Sequence, residues 1–172
     1  MLMEVGQHTK MKKIKTISEL NKLKKKGKTV GLITGVFDIL HYEHVQFLCF
    51  AKKKAGVLIV GIECDNNVKL FKGSKRPIFN FNQRALVMSS LECVDFVFKI
   101  PEIKNDKTNC SEFYKNIIKN INIDVLFAST AKDGSWEQKK KSSKELKIKF
   151  IGYNKKSKVS SSEIISKVLD SK

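Results

Sequence analysis

The chain has 172 residues, of which 41% are hydrophobic and 30% are charged, a balance that is typical of a globular domain and not of a disordered or fibrous chain. This length suits one domain with its own buried core. Lys and Arg outnumber Asp and Glu by 34 to 17, so the net charge is +17. No apolar run approaches the roughly 18–20 residues of a membrane-spanning helix, which excludes a transmembrane protein.

In chain order, the first half of the sequence predicts a helix at residues 16–26, a strand at 29–34, a turn at 35–40, a helix at 44–55, a strand at 57–62 and a loop or short helix at 67–75. The second half predicts a helix at 80–93, a strand at 94–100, a helix at 111–120, a strand at 124–128, a helix at 135–146, a strand at 147–151 and a helix at 160–169. Short apolar runs identify the strands, and apolar periodicity identifies most helices. The alternation predicts an α/β fold with a parallel sheet of about five strands and helices on both faces.

The positive charge raises the question of nucleic-acid binding, because lysines displace counterions from phosphate backbones. Arg76 and Arg84 are the only arginines, whereas nucleic-acid binders use arginine for bidentate contacts to phosphate and guanine. The lysines are spread along the whole sequence. We therefore interpret the charge as a lysine-rich bias on solvated surfaces and expect no nucleic-acid partner; a polynucleotide surface and a basic site for small anions are the alternatives.

The four cysteines form no C-x-x-C pair, which argues against a zinc site or a dithiol redox motif. They are Cys49, Cys64, Cys93 and Cys110. We interpret them as small buried side chains in a reduced, cytoplasmic protein. Residues 1–13 lack the apolar core of a secretory signal, and we predict that they form a disordered leader before a single domain at residues 14–172.

The turn after the first predicted strand carries the most chemistry. Residues 35–44 read Gly-Val-Phe-Asp-Ile-Leu-His-Tyr-Glu-His. Ligands of parallel sheets bind at the carboxyl ends of the strands where the strand order reverses, and a helix that begins there presents free amides to an anion. His41 and His44 are three residues apart and face the same way on one helical turn. They could donate hydrogen bonds to a triphosphate during group transfer; a satisfied histidine pair or a pair of metal ligands is the alternative.

Several ordered segments resemble the cytidylyltransferase-like nucleotidyltransferases, a superfamily with a Rossmann-like α/β domain. Residues 35–44 resemble its signature, and Lys72-Gly73, Arg76-Pro77 and Gln83-Arg84 are similar to segments of its bacterial heptose-phosphate adenylyltransferase branch. Residues 160–165 resemble the start of the last helix of the family, and Trp136-Glu137-x-Lys139 resembles a segment of glycerol-3-phosphate cytidylyltransferases. The resemblance spans roughly residues 29–168.

The resemblance implies an enzyme that moves CMP or AMP from CTP or ATP to a small phosphorylated alcohol and releases pyrophosphate. Glycerol 3-phosphate is the preferred acceptor, a heptose-type sugar phosphate is the alternative, and Mg²⁺ is the expected cofactor. Catalytic roles are implied for His41, His44 and Lys72. Roles in nucleotide or substrate binding are implied for Gly35, Val36, Phe37, Asp38, Arg84, Trp136, Ser160, Ser161 and Ser162. A homodimer is also expected, since relatives in this superfamily are frequently dimers.

Simpler interpretations of these side chains stay open on the residues alone. Lys72 is one lysine among many, and Arg84 could form an ordinary surface ion pair. Trp136 could anchor the core, and the serines at 160–162 could simply cap a helix.

One departure from the family pattern concerns catalysis directly. The family has Gly immediately before its second histidine, where this chain has Glu43. Two like charges about 4 Å apart repel each other by about 4 kcal/mol at an effective dielectric constant near 20. Either Glu43 points to solvent, or the site is altered and the chain is a non-catalytic nucleotide-binding homologue.

Overall fold

The computed structural model describes residues 12–22, 27–104, 109–155 and 159–170, and the core of these residues is a parallel β-sheet. Its strands are β1 (Val30–Gly35), β2 (Val57–Glu63), β3 (Phe96–Ile100), β4 (Val125–Ser129) and β5 (Lys149–Tyr153). The helices are α1 (Ile17–Asn21), α2 (Tyr42–Lys52), α3 (Asp65–Lys72), α4 (Phe81–Ser89), α5 (Cys110–Ile121), α6 (Trp136–Glu145) and α7 (Ser161–Asp170).

The strands lie in the order β3-β2-β1-β4-β5, and every neighbouring pair is parallel. The order reverses between β1 and β4, because the chain builds outward from β1 to β3 and then returns to the other side of β1. Such a reversal opens a crevice at the carboxyl ends of the two central strands. The predicted Rossmann-like α/β fold is therefore confirmed.

Alternate residues of β1 supply two separate cores, as the period of two in a strand requires. Ile33 packs in a cluster with Phe47 of α2 and Met88 of α4. Leu32 packs on the opposite face in a second cluster with Leu20 of α1 and Ile118 of α5. Because both faces of the sheet are covered, its inner strands read as continuous apolar runs.

Several element boundaries differ from the predicted ones. Helix α2 begins at Tyr42, two residues before its predicted start, because polar residues form its first turn and apolar periodicity gave no indication of them. Residues 65–72 form a full helix, in which the buried Cys64 side chain caps the amide of Asn67. Strand β3 begins at Phe96, and Asp95 just before it pairs with Leu58 by donating its N–H to Leu58 O and by accepting from Leu58 N through its side chain.

The interpretation of the cysteines as buried side chains is wrong for Cys110. Cys64 is buried, Cys49 and Cys93 are half-buried, and Cys110 is exposed. Position 110 opens α5 at the rim of the crevice, where the first helical turn has no apolar layer above it.

A short segment ahead of α1 extends the sheet at its β3 edge. Ile14 forms a parallel bridge with Val97, and Val97 N donates to Lys13 O over 2.9 Å. Lys13 Nζ also donates to the carbonyls of Leu91 and Val94. The predicted leader boundary at residue 13 thus falls on a residue that pairs with the sheet, and residues 1–11 lie outside the described residues.

Within the described ranges, no helix has the length and apolar character needed to cross a bilayer.

Candidate active site

A cavity of about 570 Å³ lies in the crevice at the carboxyl ends of the strands, and we call it the main cavity. Thr34 and Gly35 of β1, Glu63 of β2 and Ser129 of β4 contribute to its wall. A smaller cavity of about 170 Å³, the side cavity, is lined by the start of α2 and by the serines at the start of α7. His44 and Lys72 line both cavities, so they lie where the two meet.

The first turn of α2 brings His41 and His44 into contact. His41 is the N-cap residue of the helix and has extended backbone angles. The two rings stack with their centroids 3.8 Å apart, and His44 also meets the edge of Phe37. The Nδ1 atoms of both histidines are buried and have no hydrogen-bond partner among the described residues. Buried polar atoms are seldom left unpaired, so these two nitrogens distinguish the pair from a histidine pair whose hydrogen bonds are satisfied.

The surroundings of both histidines favour the neutral imidazole in the free protein. Burial is the main cause that lowers the pKa of His44 to about 4, and the neighbouring His41 and Lys72 lower it further. Burial likewise lowers the pKa of His41, although the carboxylate of Glu43 partly opposes this effect. A polyanion beside these rings would offset the burial by favouring the charged form.

The turn between β1 and α2 supports the histidine pair through a strained backbone. Phe37 has a φ of 51°, which is uncommon for a residue other than glycine. Its ring lies against Gly35, where a Cβ atom would come within 3.0 Å of the Phe37 ring. Gly35 therefore allows the Phe37 ring to fold back beneath the turn and to meet His44.

Asp38 holds a neighbouring loop against this turn. Its side chain is 1% exposed and pairs with Arg76 over 2.7 Å. It also accepts hydrogen bonds from the amides of Ile78 and Phe79 at 2.9–3.0 Å. Although Asp38 borders the main cavity, its carboxylate is therefore engaged by the loop after α3.

Arg84 joins four separate segments beneath the site. Its guanidinium donates to the carbonyls of Val36, Glu63 and Phe79 over 2.6–2.9 Å and pairs with Asp65 over 2.6 Å. The side chain is 0% exposed, so the interpretation as an ordinary surface ion pair is wrong. Its guanidinium is thus engaged by protein groups on the segments that surround the site, and binding of nucleotide or substrate by Arg84 stays a prediction.

The start of α7 faces the histidine pair across the side cavity. Ser160, Ser161 and Ser162 all line this cavity together with His41. Ser160 Oγ accepts from Glu163 N over 3.2 Å, and Ser161 Oγ donates to Ile39 O over 3.1 Å. The serines thus combine a capping function with a helix N terminus that points at the site.

The segment around Trp136 is placed differently from what its resemblance implies. Trp136 is half-buried and lines neither the main nor the side cavity. Its neighbour Lys139 does line the main cavity, where Nζ donates to Thr34 O over 3.2 Å and pairs with Asp133 over 2.6 Å. The sequence analysis did not select Lys139 as a site residue. The one signal for it was its place in the Trp-Glu-x-Lys segment.

Sequence reasoning also missed Glu63, a buried carboxylate in the wall of the main cavity. Tyr114 OH donates to its Oε1 over 2.7 Å, and Asn67 Nδ2 donates to its Oε2 over 3.0 Å. Burial raises the pKa of this carboxyl above its ordinary value. The residue ends an apolar strand, and nothing in the local sequence pattern distinguishes it from a solvated glutamate.

Glu43, the departure from the family pattern, borders the side cavity. It is half-buried, and its Oε1 accepts a hydrogen bond from the exposed Tyr42 hydroxyl over 2.9 Å. This carboxylate thus lies at the edge of the site and not wholly in solvent.

The described residues contain no cluster of three or more His, Cys, Asp or Glu side chains that could hold a metal ion. Asp38, a carboxylate of the main cavity, is engaged by Arg76 and two amides. The side chains of the described residues therefore do not fit a dedicated Mg²⁺ site.

A comparison with protein-family models matches residues 32–167 to the family described as cytidylyltransferase-like. Curated relatives include the bifunctional protein HldE of Campylobacter fetus subsp. fetus, which is 36% identical over 115 residues that make up 67% of this chain and 23% of the relative. The bifunctional protein HldE of Helicobacter hepaticus is 35% identical over 120 residues, 70% of this chain and 22% of the relative. The chain thus spans less than a quarter of the length of these relatives.

Solved structures with the same fold include the lipopolysaccharide core biosynthesis protein of Thermoplasma volcanium GSS1. It is 26% identical, with a TM-score of 0.59 over 76% of this chain and 100% of that chain. Pantoate-beta-alanine ligase of Francisella tularensis is 15% identical, with a TM-score of 0.60 over 91% of this chain and 77% of that chain; this likeness concerns the fold alone.

Proposed function

Because this chain belongs to the cytidylyltransferase-like family, we propose that it is a nucleotidyltransferase that moves CMP or AMP from CTP or ATP to the phosphate of a small phosphorylated polyol or sugar. The observation that carries this proposal is the stacked pair His41 and His44 at the junction of the two cavities. Both histidines line the side cavity together with the serines at the start of α7, and a helix N terminus beside imidazole rings suits a phosphate chain.

In the proposed reaction, a phosphate oxygen of the acceptor attacks the α-phosphorus of the nucleotide. The new oxygen–phosphorus bond forms as the bond from the α-phosphorus to the bridging oxygen breaks, and pyrophosphate leaves with the electron pair. The histidines and Lys72 stabilise the charge that grows on the phosphate oxygens. No protein nucleophile is needed, because binding both substrates in the crevice supplies proximity and orientation.

The nature of the acceptor is the finer part of the proposal. The HldE proteins and the lipopolysaccharide core biosynthesis protein favour a heptose-type sugar phosphate. Glycerol 3-phosphate, which the resemblance of the Trp136 segment suggested, stays a prediction. Its support is reduced, since Trp136 lines neither cavity.

We propose that Mg²⁺ enters with the nucleoside triphosphate, because Mg²⁺ keeps several waters and binds substrate phosphates readily.

We also propose a homodimer located in the cytoplasm. Exposed apolar side chains at Leu70, Phe71, Ile78 and Phe79 offer surface that a second copy could cover.

The test is pyrophosphate release in the presence of Mg²⁺ across a panel of nucleotides and phosphorylated acceptors. We expect His41→Ala and His44→Ala each to lower kcat by about 10²–10³-fold, as loss of one donor to a developing oxyanion does. Lys53→Ala is the matched control, because Lys53 is exposed at the far end of the same helix. Normal turnover in both folded histidine variants would contradict the proposed mechanism.

A second candidate function, a non-catalytic nucleotide-binding homologue, is favoured by one specific observation. Glu43 borders the side cavity with a carboxylate where the family has no side chain. If the native chain releases no pyrophosphate and Glu43→Gly does, this second function is correct. Pyrophosphate release by the native chain would exclude the non-catalytic function.

A further inference from the structure

The wall of the main cavity contains a carboxylate for which the proposed reaction has no use. Glu63 is the last residue of β2, and its side chain points to the face of the sheet that α5 covers, where Tyr114 OH contacts it over 2.7 Å. The residue is 6% exposed and nevertheless lines the cavity. The side chain is thus held by Tyr114 and Asn67, and the residue forms part of the cavity wall.

Glu63 differs from the other carboxylates of the main cavity in having no cation in contact. Asp38 pairs with Arg76, and Asp133 pairs with Lys139. Within the described part of the chain, the side chain of Glu63 receives hydrogen bonds only from the neutral donors Tyr114 OH and Asn67 Nδ2. Each carboxylate oxygen can accept two hydrogen bonds, so each retains capacity for one more donor.

The rest of the cavity wall indicates what kind of donor fits. Neutral polar side chains line it at Ser111, Gln138 and Ser142, and apolar side chains line it at Ile117 and Leu126. Such a mixture suits a molecule with hydroxyl groups on a carbon skeleton. The cations Lys72 and Arg76 also line the cavity and suit the phosphate of the same molecule.

We propose that Glu63 is a specificity-determining residue that accepts hydrogen bonds from hydroxyl groups of the phosphorylated polyol or sugar acceptor. The inference rests on the proposed function, because it assumes that the acceptor binds in the main cavity. The neighbouring wall residues Ser111, Gln138 and Ser142 are neutral hydrogen-bonding groups that suit further hydroxyl groups of the same acceptor. A hydroxyl donor satisfies the carboxylate without adding a second buried charge.

The test measures binding without turnover, by calorimetry in the presence of an α,β-methylene nucleotide analogue. The ligands are glycerol 3-phosphate, mannose 1-phosphate, propyl phosphate, phosphoethanolamine and inorganic phosphate. We expect the native protein to bind glycerol 3-phosphate or mannose 1-phosphate at least about tenfold more tightly than propyl phosphate, the loss expected when a hydrogen bond to a charged group is removed. Glu63→Gln should abolish this preference and leave the affinity for inorganic phosphate within about twofold.

Glu137→Gln is the matched control, since Glu137 is exposed on α6 and lines neither cavity. If Glu63→Gln does not fold, the affinities of the native protein for propyl phosphate and for the hydroxylated ligands still test the predicted hydroxyl preference. The inference is overturned if the native protein binds propyl phosphate as tightly as the hydroxylated ligands, or if it binds phosphoethanolamine most tightly. It is also overturned if folded Glu63→Gln keeps the native preference for hydroxylated ligands. A hydroxyl preference that depends on Glu63, without pyrophosphate release by the native protein, overturns the proposed function and leaves the inference standing.

Discussion

At the scale of single residues, the role proposed for the histidine pair links nucleotide binding to protonation. In the free protein, burial and the adjacent Lys72 hold the pKa of His44 at about 4, below its ordinary value of 6.5. His41 is shifted in the same direction, again mainly by burial. Both rings are therefore predominantly neutral near pH 7, and each presents one N–H donor. A triphosphate in the side cavity would raise both pKa values, because an opposite charge favours the protonated form.

We therefore predict that nucleoside triphosphate binding takes up protons above about pH 4, the pKa of His44 in the free protein, and that the affinity rises as the pH falls toward this value. The sign follows because the bound state holds more protons than the free state whenever binding raises a pKa. Calorimetry in two buffers with different enthalpies of ionisation measures the number of protons taken up. His44→Asn should reduce the uptake, and no proton uptake by the native protein at pH 6 would contradict the prediction.

The only two arginines also act at the residue scale, and they hold the site together from below. Arg84 ties the β1–α2 turn to the end of β2, and Arg76 anchors Asp38 at the neighbouring loop. The planar guanidinium offers five donors in a fixed fork, and Arg84 uses this fork to bind three carbonyls and a carboxylate. A lysine in the same place would leave several of these acceptors unpaired in a buried region.

At the scale of secondary-structure elements, the close contact between β1 and its neighbours depends on glycine. A Cβ atom at Gly31 would come within 2.6 Å of the Phe127 ring of β4 and within 2.8 Å of Ala55 Cβ. Both of these side chains are buried. Strand β1 occupies the centre of the sheet, so its position sets the width of the crevice above it.

We predict that Gly31→Ala destabilises the protein by about 1–3 kcal/mol through overpacking. The matched control is Gly134→Ala, where a new Cβ atom meets nothing within 4 Å and the free energy of unfolding should change by about 0.5 kcal/mol or less. Denaturant unfolding followed by circular dichroism measures both. Equal stabilities of the two variants would show that the sheet relaxes around an added methyl group at position 31.

At the scale of the whole molecule, the lysines behind the net charge of +17 are distributed over many of the described elements. Lysines occur in α2, α3, α5, α6 and α7. The field of such a surface draws small polyanions toward the crevice and weakens as salt screens it.

We predict that the protein retains no generic duplex DNA at physiological ionic strength, about 0.15 M, and binds it weakly at about 0.01 M, where the Debye length is about 30 Å. An electrophoretic mobility shift measured at both ionic strengths tests this prediction, with a sequence-independent basic DNA-binding protein as the positive control. Tight DNA binding at 0.15 M with a steep salt dependence would instead support the polynucleotide surface.

The sequence alone determined the fold class, the crevice and the histidine pair. Apolar runs at 57–62 and 124–128 locate strands because a covered parallel sheet buries both of its faces, and alternation with helices leaves few topologies. His41 and His44 are three residues apart at the start of one helix, so their proximity follows from local geometry. Local patterns do not locate helix starts with the same accuracy, which is why the polar first turn of α2 was missed.

Only the tertiary structure decided which distant side chains meet. Glu63 and Tyr114 are 51 residues apart, and Lys139 reaches Thr34 across 105 residues. The burial of Arg84 likewise depends on the packing of β1, β2 and α3 around it. A charged residue in a sequence looks the same whether it is solvated or buried, because its environment is formed by segments that are remote along the chain.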